Sequence, residues 1–241
     1  MNRFFTQKDN IDNNMVKIVG DDVLHIQKVL RMREGDKMIV CDGDNTDYIC
    51  ALKSLDKTCV LADILEKKEN MAEPQCKITL FQGLPKGDKM EQLIQKCVEI
   101  GVCEVAPVMT KRVVAKGDKG ARWQKVALEA AKQCGRGVVP PVLPVQSFAD
   151  AVKGAAGFDL AIIPYEEEDR VTLKEILRGK NVKSVAVFIG PEGGFEKDEI
   201  ALAVQNGIIQ VTLGKRILRT ETAGMNVISN IIYEYEGEKS E

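Results

Sequence analysis

The feature that most limits the fold of this chain is the alternation of short apolar runs with amphipathic segments from Cys76 onward. Cys76 to Phe81, Val102 to Met109, Phe158 to Pro164, Val182 to Ile189 and Ile208 to Leu213 read as strands. Lys86 to Ile100, Ala121 to Cys134, Thr172 to Leu177, Glu196 to Asn206 and Glu221 to Tyr233 read as helices. In the first of these, Met90, Leu93, Ile94, Cys97 and Val98 recur at the spacing of one buried stripe, and Gly101 stands where a helix-ending glycine would. Strand–helix alternation of this kind predicts an α/β fold with a mostly parallel sheet covered on both faces.

The first 70 residues are different. Strand-like runs at Val16 to Val19, Lys37 to Cys41, Asp47 to Leu52 and Thr58 to Ile64 are separated by turn signals such as Asp42-Gly43-Asp44-Asn45. Asp21 to Arg31 reads as one short helix, capped by Asp21 or Asp22. A small β-barrel fits this pattern. The polar run Glu66 to Gln75 is the linker, so the expected division is residues 1–70, a joint at 71–75, and a second domain at 76–241.

Composition narrows the class. No apolar run is long enough to cross a bilayer, and Met1-Asn2-Arg3-Phe4-Phe5 lacks the apolar core of a secretory signal, so a cytoplasmic protein without membrane contact is expected. Seven scattered cysteines and one histidine, His25, meet no metal-site spacing, and no metal is expected. The net charge of −2 advertises no polyanionic partner, yet residues 81–136 carry eleven Lys/Arg against six acids. That segment can supply phosphate contacts, or it can be a solvated helix face.

Two loops could carry chemistry. Ile189-Gly190-Pro191-Glu192-Gly193-Gly194-Phe195 follows a buried strand and opens a helix. Glycines there let backbone approach a ligand, in the place where open parallel sheets bind them, or they simply make a tight turn. The loop has neither G-K-[ST] nor G-x-G-x-x-G, which disfavours phosphate and dinucleotide binding. The second loop, Leu213-Gly214-Lys215-Arg216-Ile217-Leu218-Arg219-Thr220-Glu221-Thr222-Ala223, follows the next strand, with Thr220 placed to cap the last helix. Ile217 and Leu218 form a possible apolar wall and Arg219 can face an anion, whereas Lys215 and Arg216 read as solvated. Two such loops together predict a pocket.

These strings, IGPEGGF and LGKRILRTETA, resemble the signature segments of the RsmE family, bacterial 16S ribosomal RNA uracil-N3 methyltransferases of the SPOUT class. His25 to Arg33 with Gly35-Asp36, Lys86 to Glu91 through Lys96, Glu99, Gly101 and Val102, and Arg122-Trp123 through Gln133 to Pro140 are similar in the same order. Together the motifs span most of the chain. Cys134 departs from the family, which often has serine there.

The resemblance implies an N-terminal PUA-like β-barrel that binds RNA and a C-terminal SPOUT domain with a trefoil knot, formed after Pro164, Ile189 and Leu213. It implies S-adenosylmethionine held by Pro164, Ile189, Gly190, Pro191, Glu192, Gly193, Gly194, Leu213, Gly214, Ile217 and Leu218. It also implies a homodimer acting on 16S RNA in the 30S subunit, not on DNA. The last helix has Val227, Ile228, Ile231 and Ile232 for an interface or for its own sheet.

Uracil N3 must lose a proton before it attacks, and the C-terminal half has no histidine. Arg219 is therefore expected to stabilise negative charge on a uracil oxygen. Glu221 is a candidate proton acceptor, although its position also suits an acid favouring the helix dipole. Arg3, Arg31, Arg33, Lys86, Lys89 and Arg136 are expected to grip phosphates, with Arg33 in a turn after a helix that ends near Arg31. Ribose 2′-O or N1-guanine methylation, or a non-catalytic RNA-binding factor, are the competing readings.

Overall fold

The computed structural model describes residues 1–113 and 119–236. Lys116 and Asp118 of the basic segment, and the end of the acidic tail, lie outside them. The chain divides into two compact units, residues 1–73 with 131–139, and residues 74–130 with 140–241.

The first unit is built on a five-stranded sheet in the order β1-β3-β4-β5-β2. The strands are β1 (Asn2–Phe5), β2 (Met15–Val19), β3 (Lys37–Cys41), β4 (Thr46–Leu55) and β5 (Cys59–Glu69). β1 had no signature in the sequence; it runs parallel to β3, and all other pairs are antiparallel. The sheet is a half-barrel, with β1 and β2 at its open edges. The Thr6 hydroxyl, just beyond β1, donates to the Lys17 carbonyl of β2 at 2.9 Å. Alternating residues such as Met38, Val40, Cys50, Leu52, Val60 and Ala62 fill the concave side, as a period of two requires.

The expected single helix is α1 (Asp21–Leu24) continued by a π-helical turn, His25–Val29. Its cap position is Gly20, not either aspartate. Asp22 instead pairs with Lys132 at 2.8 Å. The helix ends at Leu30, and Arg31 turns the chain at φ 51°.

The second unit is a six-stranded sheet of order β11-β9-β10-β6-β7-β8, parallel throughout. Its strands are β6 (Lys77–Gly83), β7 (Glu104–Met109), β8 (Gln146–Ser147), β9 (Leu160–Pro164), β10 (Ser184–Ile189) and β11 (Ile209–Val211). The helices are α2 (Lys89–Ile100), α3 (Gly120–Cys134), α4 (Phe148–Gly154), α5 (Leu173–Leu177), α6 (Lys197–Gln205) and α7 (Thr220–Glu236). The end of α3 packs with the first unit.

β6 and β10 are buried on both faces, so their sequences are nearly continuous apolar runs. Phe81 and Phe188 face each other in register and stack with centroids 4.5 Å apart. Phe148 packs against Phe188 and, at 5.4 Å, against Phe195. Phe195 thereby anchors the far end of the glycine loop in the core. The five residues predicted as the stripe of α2 are all buried, and Gly101 closes that helix at φ 126°.

After β11, at one edge of the sheet, the chain returns to its middle, where α7 packs on β10, β6 and α2. Val227, Ile228 and Ile231 are wholly buried there, so that face of α7 covers its own sheet. This return brings residues 212–219 to the carboxyl ends of β9 and β10.

Candidate active site

A cavity of about 740 Å³ opens at the carboxyl ends of β9, β10 and β11. The chain supplies three walls to it: the turn after Pro164, the loop from Ile189 to Phe195, and the segment from Thr212 to Ala223. This is where a parallel sheet offers free backbone and divergent loops. Pro164, Ile189, Gly190, Pro191, Glu192, Gly194, Leu213, Gly214, Ile217, Leu218 and Arg219 all line it. Gly193 does not; its carbonyl accepts from Arg112 Nη1 at 2.6 Å, outside the cavity wall. Glu221 does not line it either, and sits in the first turn of α7.

The glycine loop is folded tightly on itself. Gly194 donates to the Pro191 carbonyl at 2.9 Å and has φ 68°. A Cβ on Gly190 would lie 3.0 Å from the Cα of Gly194, so neither position tolerates a side chain easily. Arg112 also pairs with Glu196 through Nε at 2.9 Å. Glu192 reaches across to α2, accepting from the Lys86 amide at 3.1 Å and from Lys89 Nζ at 2.9 Å. Partial burial pushes the Glu192 carboxyl up, but the bonds from Lys89 and Lys86 outweigh it and hold the group below the usual carboxylate range. Lys89 is raised in turn, chiefly by its bond to Glu192.

On the opposite wall Ile217 is 90% exposed. A large aliphatic side chain left in water at the rim of a cavity is a surface that gains by being covered. Arg219 is exposed, lines the cavity, and its carbonyl accepts the first-turn amides of Thr222 and Ala223. Arg219 thus occupies the cap position expected of Thr220. The Thr220 hydroxyl is used elsewhere, donating to the Gly190 carbonyl at 2.6 Å. Glu221 Oε2 is buried without a hydrogen-bond partner, 3.7 Å from Lys89 Nζ.

Several residues of the site had no sequence signal. Tyr165, Glu166, Glu168 and Asp169 line the first wall. Gln82, the penultimate residue of β6, is fully buried and bonds to Thr220.

The candidate phosphate-gripping residues separate into three groups. Arg31, Arg33 and Lys86 are exposed, and Arg31 and Arg33 share the turn after the π-helical segment. Arg3 and Arg136 are inside the first unit. Arg3 pairs with Asp47, and Arg136 with Glu73 at 2.6 Å, their side chains 8% and 4% exposed. Neither guanidinium is placed to meet a phosphate from solvent, so the phosphate-gripping expectation for these two is corrected: they hold the unit together. Lys89 is half-buried in its pairs with Glu192 and Glu221.

The chain's relatives fit this geometry. A family model described as an RNA methyltransferase domain matches residues 72–232, and an RNA methyltransferase PUA domain model matches residues 18–65. The ribosomal RNA small subunit methyltransferase E of Bacillus subtilis is 35% identical over 98% of both chains. This chain belongs to the ribosomal RNA small subunit methyltransferase E family.

The family member from Synechocystis is 32% identical over 95% of this chain and 76% of its own. The crystal structure of the family member from Neisseria gonorrhoeae, bound to S-adenosyl methionine, superposes with a TM-score of 0.88 at 33% identity, covering 96% of each chain. The architecture is accordingly a PUA domain followed by an RNA methyltransferase domain. The cavity's chemistry suits the cofactor found in that relative. Ile217, Leu218 and Leu213 offer apolar faces for a ring, while Glu166, Glu168 and Asp169 offer anions to a ligand carrying sulfonium and ammonium charges. No group of side chains among the described residues could hold a metal ion, and no described helix is long and apolar enough to cross a membrane.

Proposed function

We propose that the chain transfers a methyl group from S-adenosylmethionine to N3 of a uracil in 16S ribosomal RNA of the 30S subunit. The observation carrying this reading is the single cavity built from both signature segments, with Arg219 at its wall. The bound cofactor supplies an electrophilic methyl on a sulfonium.

The chain's own residues do the rest. Gly190, Pro191 and Gly194 present backbone along one wall, and Ile217 and Leu218 close the other over an adenine-sized ring. Arg219 offers donors to a uracil oxygen as N3 loses its proton, which lowers the cost of the anion. Glu221, two residues on and beside Lys89, is the candidate to accept that proton, which requires its side chain to swing towards the cavity it does not line. Arg31, Arg33 and Lys86 supply phosphate contacts. The return of the chain after β11 to α7 forms the trefoil knot, and the protein works as a cytoplasmic homodimer.

The test is nucleoside analysis by mass spectrometry. Purified protein, S-adenosylmethionine and 30S particles from a strain lacking this methyltransferase should yield 3-methyluridine. A ribose-methylated nucleoside, 1-methylguanosine or no product would overturn the assignment. Arg219→Ala should lower kcat by about 10²–10³-fold, the loss typical of one donor to developing negative charge. Full turnover in that variant would remove the arginine from the mechanism.

A further inference from the structure

β6 ends with Gln82 and Gly83, and the Gln82 side chain is wholly enclosed. Its register partner is Ile189, the last residue of β10 and the first of the glycine loop. Gln82 Nε2 lies 2.9 Å from the Gly83 carbonyl, 2.8 Å from Thr220 Oγ1 and 3.5 Å from the Gly190 carbonyl. Two carbonyls at that end require it to be the amide NH2 rather than the oxygen. The Thr220 hydroxyl accepts that bond and gives its own proton to the Gly190 carbonyl at 2.6 Å. A one-way polar chain therefore runs Gln82 to Thr220 to Gly190, and it joins a central strand, the glycine loop and the start of α7.

The other end of the same side chain is a liability. Gln82 Oε1 is buried with no hydrogen-bond partner. An unmatched buried acceptor opposes folding, and a methionine would fill a similar volume without one. The donor end is what the amide contributes. Both residues that it ties together, Gly190 and Thr220, line the cavity. Thr220 is also flanked by Arg219 and Glu221, so a shift of its backbone carries both with it.

We propose that Gln82 is a positioning residue which, through Thr220, locks the two signature segments to each other and fixes Arg219 relative to the glycine loop. The lock stands on its own geometry; its effect on methyl transfer rests on the function proposed above.

The experiment compares Gln82→Met, Thr220→Val, Thr220→Ser and the Gln82→Met/Thr220→Val double variant in the full-length protein. Hydrogen exchange without cofactor should quicken in both 189–195 and 219–224 for Gln82→Met and Thr220→Val, and stay as in the wild type for Thr220→Ser. Turnover on 30S particles should fall on the order of 10²-fold, as a misplacement of about 1 Å would cause, with Thr220→Ser restoring it. The double variant should be no worse than the worse single one, because both break the same chain.

Exchange that quickens in only one segment, losses that multiply in the double variant, or a lowered melting temperature with unchanged kcat and KM would each overturn the lock. A wild-type protein that fails to bind S-adenosylmethionine would sink the proposed function, and the exchange data would still decide the lock. If Gln82→Met does not fold, the Thr220→Val and Thr220→Ser pair, differing by one hydroxyl, decides it.

Discussion

Asp47 takes Arg3 in a two-point ion pair, Nη1 to Oδ1 at 2.5 Å and Nη2 to Oδ2 at 2.8 Å, with both side chains less than a tenth exposed. Asn70 Nδ2 adds a third bond to the same carboxylate at 3.0 Å, and donates to the Gly135 carbonyl at 2.9 Å. A few residues on, Glu73 accepts from Arg136 and from the amides of Gly137 and Val138 at 3.0 Å. These bonds fasten residues 135–138 into the first unit, far along the chain from the rest of it.

Asp47→Asn should therefore leave a buried guanidinium without its anion and cost about 3–5 kcal/mol, read as a lower urea midpoint. The pH dependence has a defined sign. Burial pushes the Asp47 carboxyl up, but the bond and charge of Arg3 outweigh it, and the folded value lies below the ordinary one. The contribution is complete above the unfolded value of about 3.9 and is lost as the pH falls through the folded one. The wild type should lose stability below about pH 4 more steeply than Asp47→Asn. Equal acid limbs in the two proteins would show that the pair contributes nothing.

The sequence displayed the elements that repeat a period and hid those that depend on distant partners. The stripe of α2 and the runs of β6 and β10 are local patterns, and they lie close to where the spacing puts them. The pocket was legible because two glycine-containing loops follow strands consecutive along the chain, β10 and β11, which flank β9 in the sheet. Arg3 and Arg136 were misjudged as surface cations because nothing local distinguishes a solvated arginine from one facing Asp47 or Glu73, 44 and 63 residues away. Gln82 was invisible for the same reason: its partner is 138 residues away. Thr220 looked like a helix cap because residue type and position fit one, yet its hydroxyl had a buried carbonyl to satisfy.

Arg31 and Arg33 remain exposed, which separates them from the buried pair. Replacing both with alanine should weaken 30S binding and reduce the slope of log affinity against log salt by roughly 1.5–2, about one unit per lost phosphate contact. Arg31 has φ 51°, and alanine carries the same Cβ, so backbone strain is unchanged. Binding titrations at several salt concentrations measure this. An unchanged slope would place RNA on another surface.

Ile217 offers a separation of binding from folding. It is 90% exposed, so Ile217→Ser should change stability by no more than about 0.5 kcal/mol. If a bound ring covers it, the lost apolar contact is worth about 1.5–3 kcal/mol, and calorimetry should show S-adenosylmethionine binding roughly 10–100-fold weaker. A variant that binds as tightly as the wild type would leave Ile217 outside the cofactor contact.

Gly83, the last residue of β6, lies directly against the glycine loop. A Cβ there would lie 2.6 Å from Pro191 Cδ, 2.7 Å from Pro191 N and 3.1 Å from the Gly190 carbonyl carbon. Two of those three atoms are backbone, so no side-chain rotation relieves the overlap and the loop itself must move. Gly83→Ala should cost about 1–3 kcal/mol of stability, the usual range for overpacking, and should weaken cofactor binding as well, because Gly190 and Pro191 line the cavity. Gly154→Ala is the control. It has no atom within 4 Å of its added Cβ and no positive φ, and it should be neutral or stabilising by up to about 1 kcal/mol. Thermal melts and cofactor titrations on both variants give the comparison. A Gly83→Ala protein that is less stable yet binds cofactor normally would mean that the loop yields without disturbing the cavity, and that β6 supports the fold but not the site.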